Sequence, residues 1–163
     1  MELMIFSTGG TIDDIDVDNA ITRPRETHLP VAFKQARISD EVAVKRKILM
    51  KKDSREITDS DRELISKECK KCKENHILIT HGTFTMADTA SYLGKRISDK
   101  TIVLTGSMFP LTEPKNDAEF NLGGAFIAVQ LLPPGVYVVF NGTVFQWYNL
   151  KKNIDGGYFE RLF

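Results

Sequence analysis

The sequence has little of what marks specialised protein classes. Its 163 residues include two cysteines and one tryptophan, and 22 basic side chains are matched by 22 acidic ones. Without a basic excess, the chain lacks the electrostatic footprint of a nucleic-acid-binding protein or a polybasic membrane anchor. The longest apolar runs, near residues 102–104 and 135–140, have strand length, so no membrane span is expected. Nucleic acid and membranes are therefore excluded as main partners.

Targeting and cofactor signals are also scarce. The N-terminus has no basic segment followed by a long apolar stretch, which predicts a cytoplasmic protein without a secretory signal. Cys69 and Cys72 form one Cys-x-x-Cys pair, and such a pair supplies two of the four ligands of a structural zinc site. The pair also falls near the end of a predicted helix, whereas redox cysteines sit near helix N-termini. We expect reduced thiols, no metal and no organic cofactor.

What remains is the pattern of an ordinary folded domain, with 42% hydrophobic and 27% charged residues. Residues 13–30, rich in Asp and containing two prolines, predict a long loop. Strands are predicted near 2–7, 42–50, 77–79, 101–105 and 136–140, and helices near 29–38, 58–73, 85–97 and 117–132. The alternation predicts a single α/β domain over residues 1–163, with a three-layer, doubly wound, mainly parallel sheet of the flavodoxin or Rossmann-like kind.

Small, hydroxyl-rich loops follow the predicted strands. Ligand sites in such sheets lie beyond the C-terminal ends of the strands, where this chain places residues 8–11, 52–54, 80–83, 105–107 and 141–143. The first loop, Thr8-Gly9-Gly10-Thr11, fits neither the Gly-x-Gly-x-x-Gly pattern nor a P-loop, which disfavours a nucleotide. Taken alone, this loop can be an ordinary tight turn between a strand and a helix. Five such loops at one edge of the sheet, however, predict a binding site.

Together the motifs resemble the bacterial-type L-asparaginase/glutaminase family. The matching segments, in the family's order, are Thr8–Ile12, Ile79–Thr83, Thr85-Met86 with Thr89-Ala90, Val103–Met108 with Pro110, and Asp117 with Phe120–Leu122. The resemblance implies an enzyme that cleaves a side-chain amide through a threonine nucleophile, which falls on Thr11. It places the second catalytic threonine on Thr83 and the catalytic lysine on Lys152, with the adjacent Lys151 as the alternative.

The resemblance also implies the substrate-binding residues. The serine that holds the substrate carboxylate falls on Ser54, and the expected binding set is Gly10, Ser54, Gly82, Phe84 and Ser107. The chemistry is coherent, because a lysine of lowered pKa can take a hydroxyl proton and backbone N–H groups of glycine turns can bind an oxyanion. His81, in the third loop, is interpreted as a structural hydrogen-bonding residue rather than an acid–base group.

Three departures from the family pattern bear on activity. Phe84 stands where the family has the Asp that holds the substrate α-ammonium, and residues 13–30 lack the family's loop tyrosine. Family members usually carry a second, smaller domain that supplies an acidic residue, and this sequence ends at Phe163. A lysine without its anion should have a lowered pKa and act as a neutral base, although Phe84 can equally be filler in a site that no longer binds amino acids. We expect weak or absent L-asparaginase activity.

Three functions remain open on the sequence alone. The first is hydrolysis of another small amide or ester, for which a substrate without an α-ammonium suits Phe84. The second is a non-catalytic module that binds a small carboxylate. The third is an interaction role, because residues 144–148 and 158–163 are rich in aromatic and apolar side chains. Exposed, those side chains predict a homodimer or higher homo-oligomer; the alternative is that they pack on the domain's own sheet edge.

Overall fold

The computed structural model describes residues 1–15 and 27–163, and the predicted 13–30 loop lies mostly outside these ranges. Six strands form one sheet in the order β2-β1-β3-β4-β5-β6. Neighbouring strands from β2 to β5 pair in parallel, and β6 returns antiparallel to β5. The strands are β1 (Glu2–Gly9), β2 (Ala43–Lys52), β3 (His76–Thr80), β4 (Thr101–Thr105), β5 (Gly135–Phe140) and β6 (Thr143–Gln146). The first five are the predicted strands, within a few residues at each end.

Helices cover both faces of the sheet. They are α1 (Leu29–Gln35), α2 (Asp59–Lys71), α3 (Met86–Gly94) and α4 (Ala118–Leu131). One core cluster joins the sheet to α2 and α3 through residues such as Ile65 and Leu93. The other joins it to α1 and α4 through Phe33 and Phe126. This confirms the predicted three-layer, doubly wound α/β domain.

Burial explains which strand takes which position. β3 is buried over its last four residues and β4 over all five, as expected for central parallel strands covered on both faces. β2 is exposed or half-buried along its whole length and carries five lysine or arginine side chains, which suits an edge strand. The chain leaves β1 towards β2 on one side and β3 towards β4 on the other, so the topological switch lies between β1 and β3. Ligand sites of such folds lie at this point.

Two helix starts carry a threonine followed three residues later by an aspartate, a spacing that predicts a capping box at each. Thr58 and Asp61 form this box at the start of α2, with Thr58 N–H donating to Asp61 Oδ2 at 2.8 Å. The same prediction for Thr85 and Asp88 at the start of α3 is wrong. Thr85 occupies the N-cap position without a side-chain cap. Its hydroxyl instead donates to the carbonyl of Ser54 at 2.6 Å, a long-range contact that local spacing does not reveal.

The C-terminal segment contains an element that sequence analysis did not predict. Residues Lys151–Asn153 (β7) and Tyr158–Glu160 (β8) form a separate antiparallel hairpin. Phe159 of β8 is buried and packs edge-to-face on Phe140 at the end of β5, with ring centroids 5.2 Å apart. This aromatic contact fixes the hairpin against the C-terminal edge of the sheet. Among the described helices, none is long and apolar enough to cross a membrane.

Candidate active site

Glycines bring three loops together at the switch point. A Cβ on Gly10 would lie 2.5 Å from Gly82 Cα, and Gly10 has φ of 84°. A Cβ on Gly82 would in turn lie 2.8 Å from Ser54 Oγ. Only glycine permits such contacts together with a left-handed φ. The loops after β1, β2 and β3 therefore touch at their backbones, and Thr11 and Thr83 each directly follow one of these glycines.

The closest pairing of predicted catalytic residues joins Lys152 to Thr83. Lys152 Nζ donates to Thr83 Oγ1 at 2.7 Å, and Thr83 Oγ1 lies 3.8 Å from Met108 Sδ. Successive strand residues point in opposite directions, and Lys151 accordingly leaves the site and forms an ion pair with Glu160 at 3.2 Å. Lys152 pairs in register with Phe159 across the hairpin. The anchored hairpin thus delivers Lys152, of the two adjacent lysines, to Thr83.

Phe84 lies beside two cations. Its ring centroid is 3.8 Å from Lys152 Nζ and 4.7 Å from Arg55 Cζ. Both distances are within the range of cation–π contacts, and the side chain is 45% exposed. Burial lowers the pKa of Lys152, and repulsion from Arg55 lowers it further, while the charge of Asp53 opposes the shift. The ring of Phe84 carries no carboxylate that could raise the Lys152 pKa again.

Ser54 and Thr11 are set by short helical turns. Ser54 opens the 3₁₀ turn Ser54–Glu56, which Asp53 and Glu56 close as a capping box. Its side chain is 1% exposed, and its Oγ accepts a hydrogen bond from Thr85 N at 3.3 Å. Thr11 is half-buried and opens the 3₁₀ turn Thr11–Asp13 directly after Gly10. The site therefore has its hydroxyls on fixed backbone rather than on free loops.

Ser107, the remaining predicted binding residue, is placed differently. It is 1% exposed, and its Oγ has no hydrogen-bond partner among residues 1–15 and 27–163. The next residue, Met108, contacts Thr83. Ser107 is thus buried, directly before a residue that contacts Thr83.

His81 occupies a structural position. It is fully buried, and its Nδ1 lies 2.7 Å from the carbonyl of Gly82, which can only accept a hydrogen bond. Nε2 therefore accepts from Thr89 Oγ1 at 2.9 Å, and that hydroxyl accepts from Arg62 Nε at 3.2 Å. Desolvation lowers the pKa of His81 to about 4. A neutral ring with both nitrogens occupied holds the Gly82 backbone in place.

Asp117, the N-cap of α4, and Asn121, within α4, hold the loops after β4 and β5. The Asp117 carboxylate accepts from the backbone of Met108 and Phe109 at 2.9–3.0 Å. Asn121 is 2% exposed, donates to the Gly106 carbonyl at 3.1 Å and accepts from Asn141 N at 3.0 Å. Both residues belong to the motif segments, but the spacing indicated no role for them. Arg55 was also missed, although it directly follows Ser54 in a predicted site loop.

Some of the aromatic and apolar side chains near the C-terminus are buried and others are exposed, so both alternatives from the sequence analysis occur. Phe145 and Phe159 are buried in the core, and Trp147 covers Gly94 so closely that a Cβ there would lie 2.3 Å from the indole. Tyr148, Leu162 and Phe163 are 50%, 55% and 82% exposed. Asn149, which follows Tyr148 in the chain, holds residues 162–163, because its Oδ1 accepts from both backbone N–H groups at 2.8 and 3.1 Å. These three side chains define an exposed C-terminal patch.

Comparison with known proteins accounts for this arrangement. The family model described as "Asparaginase, N-terminal" matches residues 2–155. The chain belongs to the asparaginase family. The L-asparaginase of Thermococcus kodakarensis is 33% identical over 144 residues, a match that covers 86% of this chain and 44% of that enzyme. Its solved structure superimposes with a TM-score of 0.85 at 29% identity, covering 99% of this chain and 51% of that one.

Other relatives include an amidotransferase component as well as a further L-asparaginase. A glutamyl-tRNA(Gln) amidotransferase component of Saccharolobus solfataricus is 31% identical over 144 residues, covering 85% of this chain and 32% of that protein. L-asparaginase 2 of Escherichia coli is 37% identical over 84 residues, which cover 49% of this chain and 24% of that enzyme. The asparaginase-family domain described here thus spans about half the length, or less, of the relatives it matches.

Proposed function

We propose that this asparaginase-family domain hydrolyses a small amide or ester through Thr11, with Thr83 and Lys152 as the activating pair. The observation that carries the proposal is the 2.7 Å contact between Lys152 Nζ and Thr83 Oγ1. The two residues are 69 positions apart and lie on different elements, beside the loop contact between Gly10 and Gly82. The relatives named L-asparaginase support amide hydrolysis as the reaction.

The reaction follows from the groups present. Neutral Lys152, through the Thr83 hydroxyl, takes the proton of Thr11 as its oxygen attacks the carbonyl carbon. The C–N bond then breaks, the nitrogen leaves as ammonia with the proton held by Lys152, and water hydrolyses the Thr11 ester. The Gly10 N–H donates to the Lys52 carbonyl at 2.9 Å. Because this donor is occupied, oxyanion binding is assigned to other backbone N–H groups of the loops.

L-Asparagine is a poor fit to this pocket. Its ammonium group needs an acceptor or an anion, and Phe84 offers a ring that already contacts Lys152 and Arg55. A desolvated ammonium without a partner is costly. We therefore expect weak or no L-asparaginase activity.

Ammonia release from a panel of small amides, with acid release from matching esters, tests the proposal. Thr11→Val and Lys152→Ala are expected to abolish turnover, because they remove the nucleophile and the base. Lys151→Ala is the matched control, since the neighbouring lysine points away and pairs with Glu160. Turnover that survives Thr11→Val, or a panel on which no substrate gives Thr11-dependent turnover, refutes hydrolysis through Thr11.

A second candidate function is non-catalytic binding of a small carboxylate, and the two cations beside Phe84 favour it. Binding without turnover predicts that succinate raises the melting temperature of the wild-type protein and of the Thr11→Val variant alike. The same titration with a Lys152→Ala variant should give a smaller shift. No stabilisation by any dicarboxylate counts against this function.

We also propose that the partner of the exposed C-terminal patch is a second copy of the same chain. Tyr148, Leu162 and Phe163 each expose a large apolar side chain, and exposed apolar side chains favour association. A cytoplasmic location is proposed on the likeness to a structure from Campylobacter jejuni titled as a probable cytoplasmic L-asparaginase, with a TM-score of 0.79 at 28% identity.

A further inference from the structure

We infer that Arg55, Phe84 and Lys152 make this pocket selective for amides that carry a carboxylate and no ammonium group, that is, ω-monoamides of dicarboxylic acids. The inference rests on the proposed hydrolytic function and names its substrate class. It follows from the charges around the Thr83 hydroxyl rather than from the overall fold.

Among the described residues, the side chains that contact the Phe84 ring are basic ones. Lys152 and Arg55 both contact the ring of Phe84, and the ring stands next to Thr83 in the chain. Within residues 1–15 and 27–163, no carboxylate hydrogen bonds to Lys152, whose nitrogen contacts the Thr83 hydroxyl and the Phe84 ring. An ammonium placed beside the Phe84 ring therefore meets no vacant carboxylate, whereas an apolar group can pack on the ring without leaving a charge unpaired.

The nearest acid, Asp53, is already paired. Asp53 is 5% exposed, and its two oxygens accept from Arg55 Nε at 3.1 Å and Nη2 at 2.8 Å. An incoming ammonium would have to displace this bidentate pair to reach the carboxylate. Arg55 has further contacts of its own, and Asp53 balances its charge. The selectivity therefore comes from the lack of a carboxylate that can accept the ammonium.

The substrate this site favours is asparagine without its amino group. In succinamate the amide carbon and the carboxylate are as far apart as the side-chain amide and the carboxylate of asparagine, and an apolar CH₂ replaces the carbon that bears the ammonium. That CH₂ can lie against the Phe84 ring at no electrostatic cost. Hydrolysis consumes one water, breaks the amide C–N bond and yields succinate and ammonia. No oxidant, reductant or metal is required.

The experiment compares kcat/KM for succinamate and L-asparagine, measured as ammonia release. We expect the wild-type protein to favour succinamate by about tenfold or more, the ratio that one mispaired charge of about 1.4 kcal/mol produces. Phe84→Asp should shift the ratio towards L-asparagine by a similar factor, because the new carboxylate accepts an ammonium. Phe84→Leu is the matched control, since it stays apolar and should keep the preference for succinamate.

The outcomes separate the two proposals. If Thr11-dependent hydrolysis occurs and L-asparagine is used as well as succinamate, the selectivity is overturned while the hydrolytic function stands. If neither amide is hydrolysed, calorimetric titration decides the selectivity by itself. Succinate binding at least tenfold more tightly than L-aspartate supports it, and equal or reversed affinities overturn it.

Discussion

The ammonium nitrogen of Lys152 lies 3.8 Å from the centre of the Phe84 ring. A ring face stabilises a cation by about 0.5–2 kcal/mol, but it cannot supply the full negative charge that keeps a partly buried lysine protonated. Desolvation and the nearby Arg55 therefore dominate and lower the Lys152 pKa. The same contact connects the chemistry of the base with the selectivity of the pocket, since one aromatic side chain governs both.

Replacing Phe84 should move the Lys152 pKa in a direction set by charge. Phe84→Asp is expected to raise it, because a carboxylate at hydrogen-bond range favours the charged amine. Phe84→Leu should not raise it, because leucine adds no charge and removes the cation–π contact. Titration of the lysine side-chain CH₂ resonance by NMR, assigned through Lys152→Arg, measures the shift without relying on turnover. A Phe84→Asp titration at or below the wild-type midpoint would contradict the electrostatic account.

Two glycine-to-alanine substitutions should change stability in opposite directions. Gly10→Ala places a methyl group 2.5 Å from the Gly82 backbone at φ of 84°, so we expect a loss of about 3 kcal/mol or more and loss of site function. Gly123→Ala, within α4, meets no atom within 4 Å and should stabilise the protein by about 0.5–1 kcal/mol. Urea unfolding measures both. Equal effects from the two changes would mean that the loop contact between Gly10 and Gly82 carries no constraint.

Much of the fold was predictable because its signals are local. The apolar segments at 77–79 and 101–105 predict buried strands, and both occur. The capping pair Thr58 and Asp61 is three residues apart, so sequence spacing alone reveals it. The position of the site follows from parallel-sheet topology, which places all the strand-end loops at one edge.

The remainder depends on contacts between distant residues, which spacing cannot show. The Thr85 side chain does not cap its own helix because it donates a hydrogen bond to the Ser54 carbonyl, 31 positions away. The choice between Lys151 and Lys152 is one of strand phase, and that phase depends on where Phe159 packs. The basic surroundings of Phe84 depend on two residues from distant parts of the chain. Arg55, in the 3₁₀ turn after β2, and Lys152, on β7, both contact the same ring.

Asn121 should be among the most sensitive polar residues of the domain. Asn121→Ala leaves the buried Gly106 carbonyl without its partner, and it also removes the acceptor of the part-buried Asn141 N–H. We expect a loss of about 1–3 kcal/mol in the free energy of unfolding, because an unpaired buried group costs about that much. Glu119→Ala, an exposed change on the same helix, should remain within about 0.5 kcal/mol. A mild effect at Asn121 would show that the two loops are held by other contacts.

The exposed C-terminal patch should control self-association. Light scattering at micromolar concentration is expected to show a dimer or larger oligomer for the wild-type chain. The double substitution Leu162→Glu and Phe163→Glu should shift it towards monomer, because charges in an apolar interface are costly to desolvate. Val31→Glu, at a 54% exposed position on α1, is the control and should leave the mass unchanged. A wild-type chain that is monomeric at this concentration would refute the proposal.

His81 should make the domain sensitive to acid. Its pKa is lowered to about 4 by burial, whereas an exposed histidine titrates near 6.5. As the pH falls below 6.5, the unfolded chain binds a proton at His81 before the folded chain does. The free energy of unfolding is therefore unaffected by His81 above that pH and decreases progressively towards pH 4. The loss attributable to His81 should be about 2–3 kcal/mol at pH 4.5.

His81→Gln removes the titration, so its stability should fall less between pH 7 and pH 4.5 than that of the wild type. Urea unfolding of both chains at the two pH values measures the difference, in which the effects of shared carboxylates such as Asp13 cancel. An identical pH dependence in the two chains would show that His81 is not held neutral by its burial.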